Sequence, residues 1–240
     1  MEPAPLSSEA EVAGLLADVL GHPGDDRWHA RRDQARREGE EAARALALPA
    51  AQLVYGELDL ASLRRLLEAA DLRPGEAFLD IGSGDGGPTL AAALLRPDLR
   101  IARGVEIVPG LWRRSLAHED RLRERLAERR GRIVAPVELL LGDVHQAWDP
   151  AGAPTAVGRA LADTTLAVCF ATTWSMGAPR RELPRLSEAL ARGMRSGSRV
   201  VVVDGSLLAD AHGWGWEGDL RLSVADTAPH STARLYLHPG

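Results

Sequence analysis

The sequence predicts an α/β domain with a mostly parallel, seven-stranded sheet, helices on both faces of that sheet, and an N-terminal helical extension. Two observations predict this architecture. From Asp59 onward, short apolar runs alternate with helical patterns, which is typical of parallel strands joined by crossover helices. The tail from Asp219 to His238 instead holds two alternating stretches around a turn-rich segment. That pattern favours two antiparallel strands closing the sheet edge.

The N-terminal extension is predicted to contain two helices. The first covers 9–20, where apolar residues fall on one helical face, and it ends at Gly21. The second covers 28–48 and is dense in Arg and Glu. Its Arg cluster from Arg27 to Arg37 is interpreted as a solvated face, with binding of an acidic partner as the alternative. We therefore expect a helical extension at 1–50 and the main domain at 51–240.

Five buried strands and four helices are predicted inside the main domain. The strands are placed at 77–81, 102–107, 137–141, 166–170 and 199–203, and the helices at 59–70, 88–95, 109–130 and 180–194. The segment Trp148 to Gly158 is rich in Pro, Gly and Ala, so it is expected to be a loop.

Composition narrows the function classes. The net charge is −5 and all 29 basic residues are Arg, so the chain has no polylysine tract and a nucleic-acid partner is not indicated. The single cysteine, Cys169, permits neither an internal disulfide nor a thiolate zinc site of the chain's own, and no metal site is predicted. No apolar run approaches the length of a membrane span. We expect a soluble, intracellular protein, cytoplasmic or nuclear.

A glycine-rich turn follows the first predicted strand. Residues 78–87 read as a buried strand that enters this turn, and Pro88 suits the first turn of the next helix. Glycine lets a main chain bend sharply and approach a ligand closely. The letters also satisfy the dinucleotide fingerprint GxGxxG at Gly82, Gly84 and Gly87, a weak match when taken alone.

Three acidic residues stand at the ends of successive strands around this turn. Asp80 would repel a pyrophosphate but accept hydrogen bonds from an ammonium group, which favours S-adenosylmethionine (SAM) over a dinucleotide. Glu106 suits the ribose hydroxyls, and Asp143 suits the exocyclic amine of adenine. In this part of the chain the candidate cofactor-binding residues are Asp80, Gly82, Ser83, Gly84, Gly86, Glu106, Ile107, Asp143 and Val144.

These residues resemble the DOT-type (disruptor of telomeric silencing) histone-lysine methyltransferases, which have the class I, Rossmann-like SAM-methyltransferase fold. The resemblance covers about 53–203. It rests on the Tyr-Gly-Glu loop at 55–57, the strand and turn at 72–84, the strand end at 104–107, and Gly142-Asp143. The Tyr-Gly-Glu loop is the most specific of these features.

The resemblance implies further site residues. Glu57 would bond the methionine end of SAM, and Tyr55 would shape the pocket over the methyl donor. The family carries a pair of asparagines where this chain has Thr172 and Thr173, followed here by Trp174. A threonine hydroxyl is shorter than an asparagine amide and differently aimed, so this is a departure from the family pattern. We expect Thr172, Thr173 and Trp174 to orient the acceptor.

The function expected from these features is SAM-dependent methyl transfer, DOT-like, to a protein lysine side chain. The sulfonium supplies its own leaving group, so the protein mainly orients donor and acceptor and excludes water. No unambiguous general base is visible, and His145 is expected to face solvent. Methyl transfer to a small molecule or RNA, a SAM-binding module without transfer activity, and a nicotinamide-dependent oxidoreductase are the alternatives. The sequence does not predict the oligomeric state.

Overall fold

The computed structural model describes residues 8–22, 24–49, 53, 59–129, 134–171, 174, 181–222 and 231–239. Within them the chain forms one seven-stranded sheet in the order β3-β2-β1-β4-β5-β7-β6. All neighbouring strands are parallel except the pairs made by β7, which is antiparallel to β5 and to β6. The strands are β1 Ala77–Ile81, β2 Ile101–Glu106, β3 Val137–Leu141, β4 Leu166–Phe170, β5 Arg199–Val203, β6 Gly215–Leu222 and β7 Ser231–Leu237.

Eight α-helices accompany the sheet in the described residues. They are α1 Glu9–Leu20, α2 Asp26–Ala45, α3 Leu60–Ala69, α4 Gly87–Leu95, α5 Pro109–Glu128, α6 Ala156–Asp163, α7 Pro184–Gly193 and α8 Ala209–His212. A short 3-10 helix covers Val144–Gln146. None of these helices is long and apolar enough to cross a membrane.

Two apolar layers enclose the sheet, because successive strand residues point to opposite faces. One layer joins Phe78 and Val168 to the inward faces of α1, α3, α4 and α5. The other joins Leu79 and Cys169 to α6 and α7. The predicted α/β class, with a mostly parallel seven-stranded sheet, is confirmed.

Strand order places the site. The chain runs from β1 outward to β2 and β3, then returns to the other side of β1 to build β4 and β5. Adjacent parallel strands whose connections leave in opposite directions open a crevice at their carboxyl ends. That crevice lies beyond Ile81 and Cys169, which pair across β1 and β4.

Helix α1 belongs to the main core. Its residues Val12, Leu15, Leu16 and Val19 are buried in the layer that contains Phe78, and the helix packs against α4 and α5. The predicted helix at 9–20 is confirmed with its apolar face.

Two predicted features differ from the structure. The expected loop at 148–158 ends earlier, because Thr155 caps a helix, α6, by accepting a hydrogen bond from the Gly158 amide. Strand β6 begins at Gly215, five residues before the first predicted alternating stretch, and a bulge between Trp216 and Gly218 disguises its period.

Candidate active site

The glycine turn after β1 has the backbone that its sequence predicts. Gly82, Gly84 and Gly86 have φ values of +78°, +58° and +92°, a region that side-chain-bearing residues rarely adopt. The amides of Gly82 and Ser83 both donate to the Val105 carbonyl, at 2.9 and 3.0 Å. The turn then closes with a 2.9 Å bond from the Gly86 amide to the Ser83 carbonyl. It is therefore a fixed cradle beside the crevice.

Glu106, at the end of β2, is tied to this turn. One carboxylate oxygen accepts from the Gly84 amide at 2.7 Å, and the other accepts from the Val108 amide at 2.8 Å. Burial raises the pKa of Glu106 to about 7, although these bonds act to lower it. Each carboxylate oxygen has a second lone pair, so the group retains acceptor capacity for a ribose.

Asp80 lies beneath the turn and is fully buried. Its Oδ2 accepts from the Thr89 hydroxyl at 3.1 Å, whereas its Oδ1 has no hydrogen-bond partner among the residues that the structure describes. Burial raises the pKa of this carboxyl to about 7. A buried acceptor without a donor is costly, and a cationic donor near the turn would relieve that cost.

Asp143 follows β3 and caps the 3-10 helix. Its Oδ1 accepts from the His145 amide at 2.8 Å and lies 2.9 Å from His145 Nδ1. Burial raises the pKa of Asp143, but the bonds from His145 outweigh burial and hold the pKa below its ordinary value. His145 is only 23% exposed and lines the crevice, so it differs from the solvent-facing position expected from the sequence.

An open cleft with a volume of about 270 Å³ occupies the crevice. Trp174 forms one wall, and its Cζ2 lies 3.2 Å from the position that a Cβ would take at Gly82. Glycine at 82 therefore gives the indole room to lie against the turn. Gly82, Ile107, Asp143, Val144 and Trp174 were predicted and do line the cleft, together with residues not predicted: Leu48, Leu53, His145, Leu183, Arg185 and Leu186.

The described residues fit an adenosyl cofactor. An apolar floor of Ile107 and Val144 suits a flat ring, and the carboxylates of Glu106 and Asp143 stand at the ends of neighbouring strands. Four predicted residues, Tyr55, Glu57, Thr172 and Thr173, lie outside the residues that the structure describes.

A buried ionic contact behind the turn was not predicted. Arg31 of α2 pairs with Asp85 of the turn, and His118 of α5 contacts the Asp85 carbonyl. The sequence did carry a signal for it. Trp28, Arg31, Ala35, Gly39 and Ala42 recur every three or four residues and are all buried, so Arg31 is not part of a solvated face.

Comparisons with known proteins bear on the family and the fold. Residues 48–138 match the family model described as histone methylation protein DOT1. The match includes the Tyr-Gly-Glu loop, the glycine turn and Glu106, and ends before Asp143 and the segment of Thr172 to Trp174. It confirms the predicted resemblance over a shorter stretch than 53–203. No curated protein matches the chain.

Solved structures match the fold. A TehB-like SAM-dependent methyltransferase from Corynebacterium glutamicum has a TM-score of 0.50 at 14% identity, covering 88% of this chain and 98% of that one. A point mutant of the protein MtNAS has a TM-score of 0.51 at 15% identity, covering 96% of this chain and 87% of that one. The predicted class I methyltransferase fold is confirmed.

Proposed function

From a class I methyltransferase fold with a DOT1-type segment at 48–138, we propose that this chain binds SAM in the cleft beside the glycine turn and methylates an acceptor amine. The observation that carries the proposal is that Asp80, Glu106 and Asp143 stand at or just after the carboxyl ends of β1, β2 and β3, at the sheet edge that holds the glycine turn, whose Gly84 amide bonds Glu106. Gly82 and Asp143 line the cleft, whereas Asp80 and Glu106 are buried beside it. A dinucleotide is disfavoured, because Asp80 would face its pyrophosphate.

Residues at different strand ends would bind different parts of SAM. Asp143 and the backbone of Val144 would meet the edge of adenine, and Ile107 would cover one ring face. Glu106 would accept from the ribose hydroxyls, and Asp80 would neutralise the ammonium group through the turn. When bound, SAM supplies an activated methyl group on a sulfonium leaving group.

Methyl transfer would then depend more on the orientation of the donor and the acceptor than on dedicated catalytic groups. Trp174 stands against Gly82 and would wall the acceptor channel, with Thr172 and Thr173 beside it in sequence. Tyr55 and Glu57 would close over the donor. The proposed acceptor is a protein lysine side chain, because the DOT1 match is the only support that bears on the acceptor class.

Cofactor binding is tested by calorimetry with S-adenosylhomocysteine. Asp80→Ala and Glu106→Ala should each weaken affinity by about 10- to 100-fold, corresponding to roughly 1.5–3 kcal/mol for a charged hydrogen bond. Glu138→Gln is the matched control, since this exposed strand carboxylate bonds Arg103 rather than the glycine turn. Unchanged affinity in both Ala variants would refute the site.

The acceptor is tested with radiolabelled SAM and a fractionated lysate. Label in protein, traced by mass spectrometry to a lysine side chain, is the expected result. Label in RNA or in metabolites would overturn the lysine proposal but leave methyl transfer standing. Binding without label in any fraction would identify a SAM-binding module.

A further inference from the structure

Helix α2 presents one charged residue inside an otherwise apolar buried stripe, most of whose residues are small. Trp28, Ala35, Gly39 and Ala42 line that stripe, and Arg31 lies within it at 8% exposure. Small residues let a helix approach its neighbours closely. An arginine at the centre of such a contact needs an ionic partner, because burying an unpaired charge is costly.

That partner belongs to the glycine turn. Arg31 Nη1 lies 2.9 Å from Asp85 Oδ2, and the two side chains are 6% and 0% exposed. The residues are 54 positions apart in the chain. The N-terminal extension and the turn are therefore joined through a contact shielded from solvent screening.

Asp85 is also held from a second side. His118 Nδ1 of α5 lies 2.9 Å from the Asp85 carbonyl oxygen and so donates to it. Burial lowers the pKa of His118 and so favours the neutral ring, which makes this bond in the tautomer that carries its hydrogen on Nδ1. At the next residue, a Cβ on Gly86 would lie 2.9 Å from the Ser115 Cβ, so α5 backs directly onto the turn.

The contacts of Asp85 also fix the part of the turn that faces the proposed cofactor site. Asp85 directly follows Gly84, whose amide bonds Glu106, and it lies inside the turn closed from Ser83 to Gly86. A shift of Asp85 therefore shifts the Gly84 amide and the Glu106 carboxylate together.

We infer that Arg31 is a positioning residue of the cofactor site, which through Asp85 holds the glycine turn in its binding-competent shape. The inference rests on the proposed function and gives the N-terminal extension a role in that function. The same segment also supplies Leu48 to the cleft wall.

The test compares Arg31→Met, Asp85→Asn and the double variant with the wild-type chain. Each single variant removes one member of this buried ion pair, so both should lower the melting temperature and raise the Kd for S-adenosylhomocysteine by at least tenfold. The double variant has neither charge. Its melting temperature should recover most of the loss while its Kd stays raised, because the turn remains untethered. Recovery of both quantities would make the pair a structural contact only and overturn the inference.

Two control variants separate positioning from helix docking. Glu38→Gln removes the charge from a 2.7 Å ion pair with Arg114 that joins α2 to α5, and it should lower the melting temperature with less than threefold change in Kd. Arg36→Met alters an exposed arginine on the same helix and should change neither quantity. Arg31→Lys keeps the charge and should rescue most of the affinity.

Hydrogen exchange of the ligand-free protein gives a readout independent of the cofactor. In Arg31→Met the amides of 82–86 should exchange faster, while those of β5 keep wild-type protection. Unchanged protection of the turn would overturn the inference even if the Kd rises. A wild-type chain that binds no S-adenosylhomocysteine would contradict the proposed function, whereas the exchange result would still decide the role of Arg31.

Discussion

Asp80 and Glu106 are two buried carboxyl groups on the neighbouring strands β1 and β2, beside the glycine turn. Burial raises the pKa of each to about 7, and Glu106 adds to the shift of Asp80 by charge repulsion. In the unfolded chain both would titrate near their ordinary values, close to 4. Between these limits the folded state binds more protons than the unfolded state. Their contribution to stability is therefore full below about pH 4 and is lost as pH rises through about 7.

This sign gives a prediction for the ligand-free protein. The Asp80→Asn side chain does not titrate. As pH rises from 5 to 8, the melting temperature of this variant should therefore fall less than that of the wild type. Thermal unfolding followed by circular dichroism at several pH values measures the difference.

Asp163→Asn is a control of opposite sign. In the wild type, a hydrogen bond from Arg100 lowers the pKa of the Asp163 carboxyl. This carboxylate therefore stabilises the fold above its ordinary pKa, and that contribution is lost as pH falls. Parallel pH curves for wild type and Asp80→Asn would show that Asp80 does not titrate in this range.

At the residue scale the sequence predicts acids and glycines better than it predicts arginine partners. Gly82 and Glu106 could be found because a turn and a strand end limit where their side chains lie. The partner of Arg31 could not, since it is 54 residues away in the chain. Periodicity marks a buried position but does not identify what lies opposite.

Among the elements, the boundaries of the five parallel strands, β1 to β5, were predicted within one residue. Their apolar runs are short and bounded by turn residues, which is the strongest pattern a parallel sheet leaves in a sequence. Helix α6 was missed because it has eight residues, a glycine inside it and a Pro-Gly-Ala segment before it. Its one strong signal is Thr155, a good N-cap residue that also occurs in loops.

For the glycine within α6 we predict that substitution by alanine lowers stability, although the same change normally stabilises a helix. A Cβ at Gly158 would lie 2.1 Å from the Ala147 carbonyl oxygen, directly after the 3-10 helix that begins at Val144. Gly158→Ala should therefore push α6 from the strand end that carries Asp143, lowering stability by about 1–3 kcal/mol and weakening S-adenosylhomocysteine binding.

The matched control is a glycine in α1 with free space around it. Gly14→Ala meets nothing within 4 Å and should raise stability by about 0.5–1 kcal/mol, as alanine normally does in a helix. Urea unfolding of both variants gives the two free energies. Equal gains in stability would contradict the packing of α6 on Ala147.

At the scale of the whole molecule, the sequence does not predict where the N-terminal helices pack. The apolar face of α1 was predicted, but amphipathicity shows only that a face is covered and not which element covers it. We expected an extension at 1–50 and a main domain at 51–240. In the structure Leu15 and Val19 are fully buried in the same apolar layer as Phe78 and Leu90.

This shared core predicts that residues 51–240 do not fold as an independent unit. Without α1, that fragment would expose the apolar faces of α4 and α5, and without α2 it would lack the arginine that pairs with the buried Asp85. Leu15→Ala in the full chain should cost about 2–5 kcal/mol for the same reason. Urea unfolding of the fragment, the variant and the full chain compares them directly. We expect no cooperative transition for the fragment and a lower midpoint for Leu15→Ala. A fragment that unfolds cooperatively at the full-length midpoint would show that the extension is dispensable, because the main core would then be complete without α1.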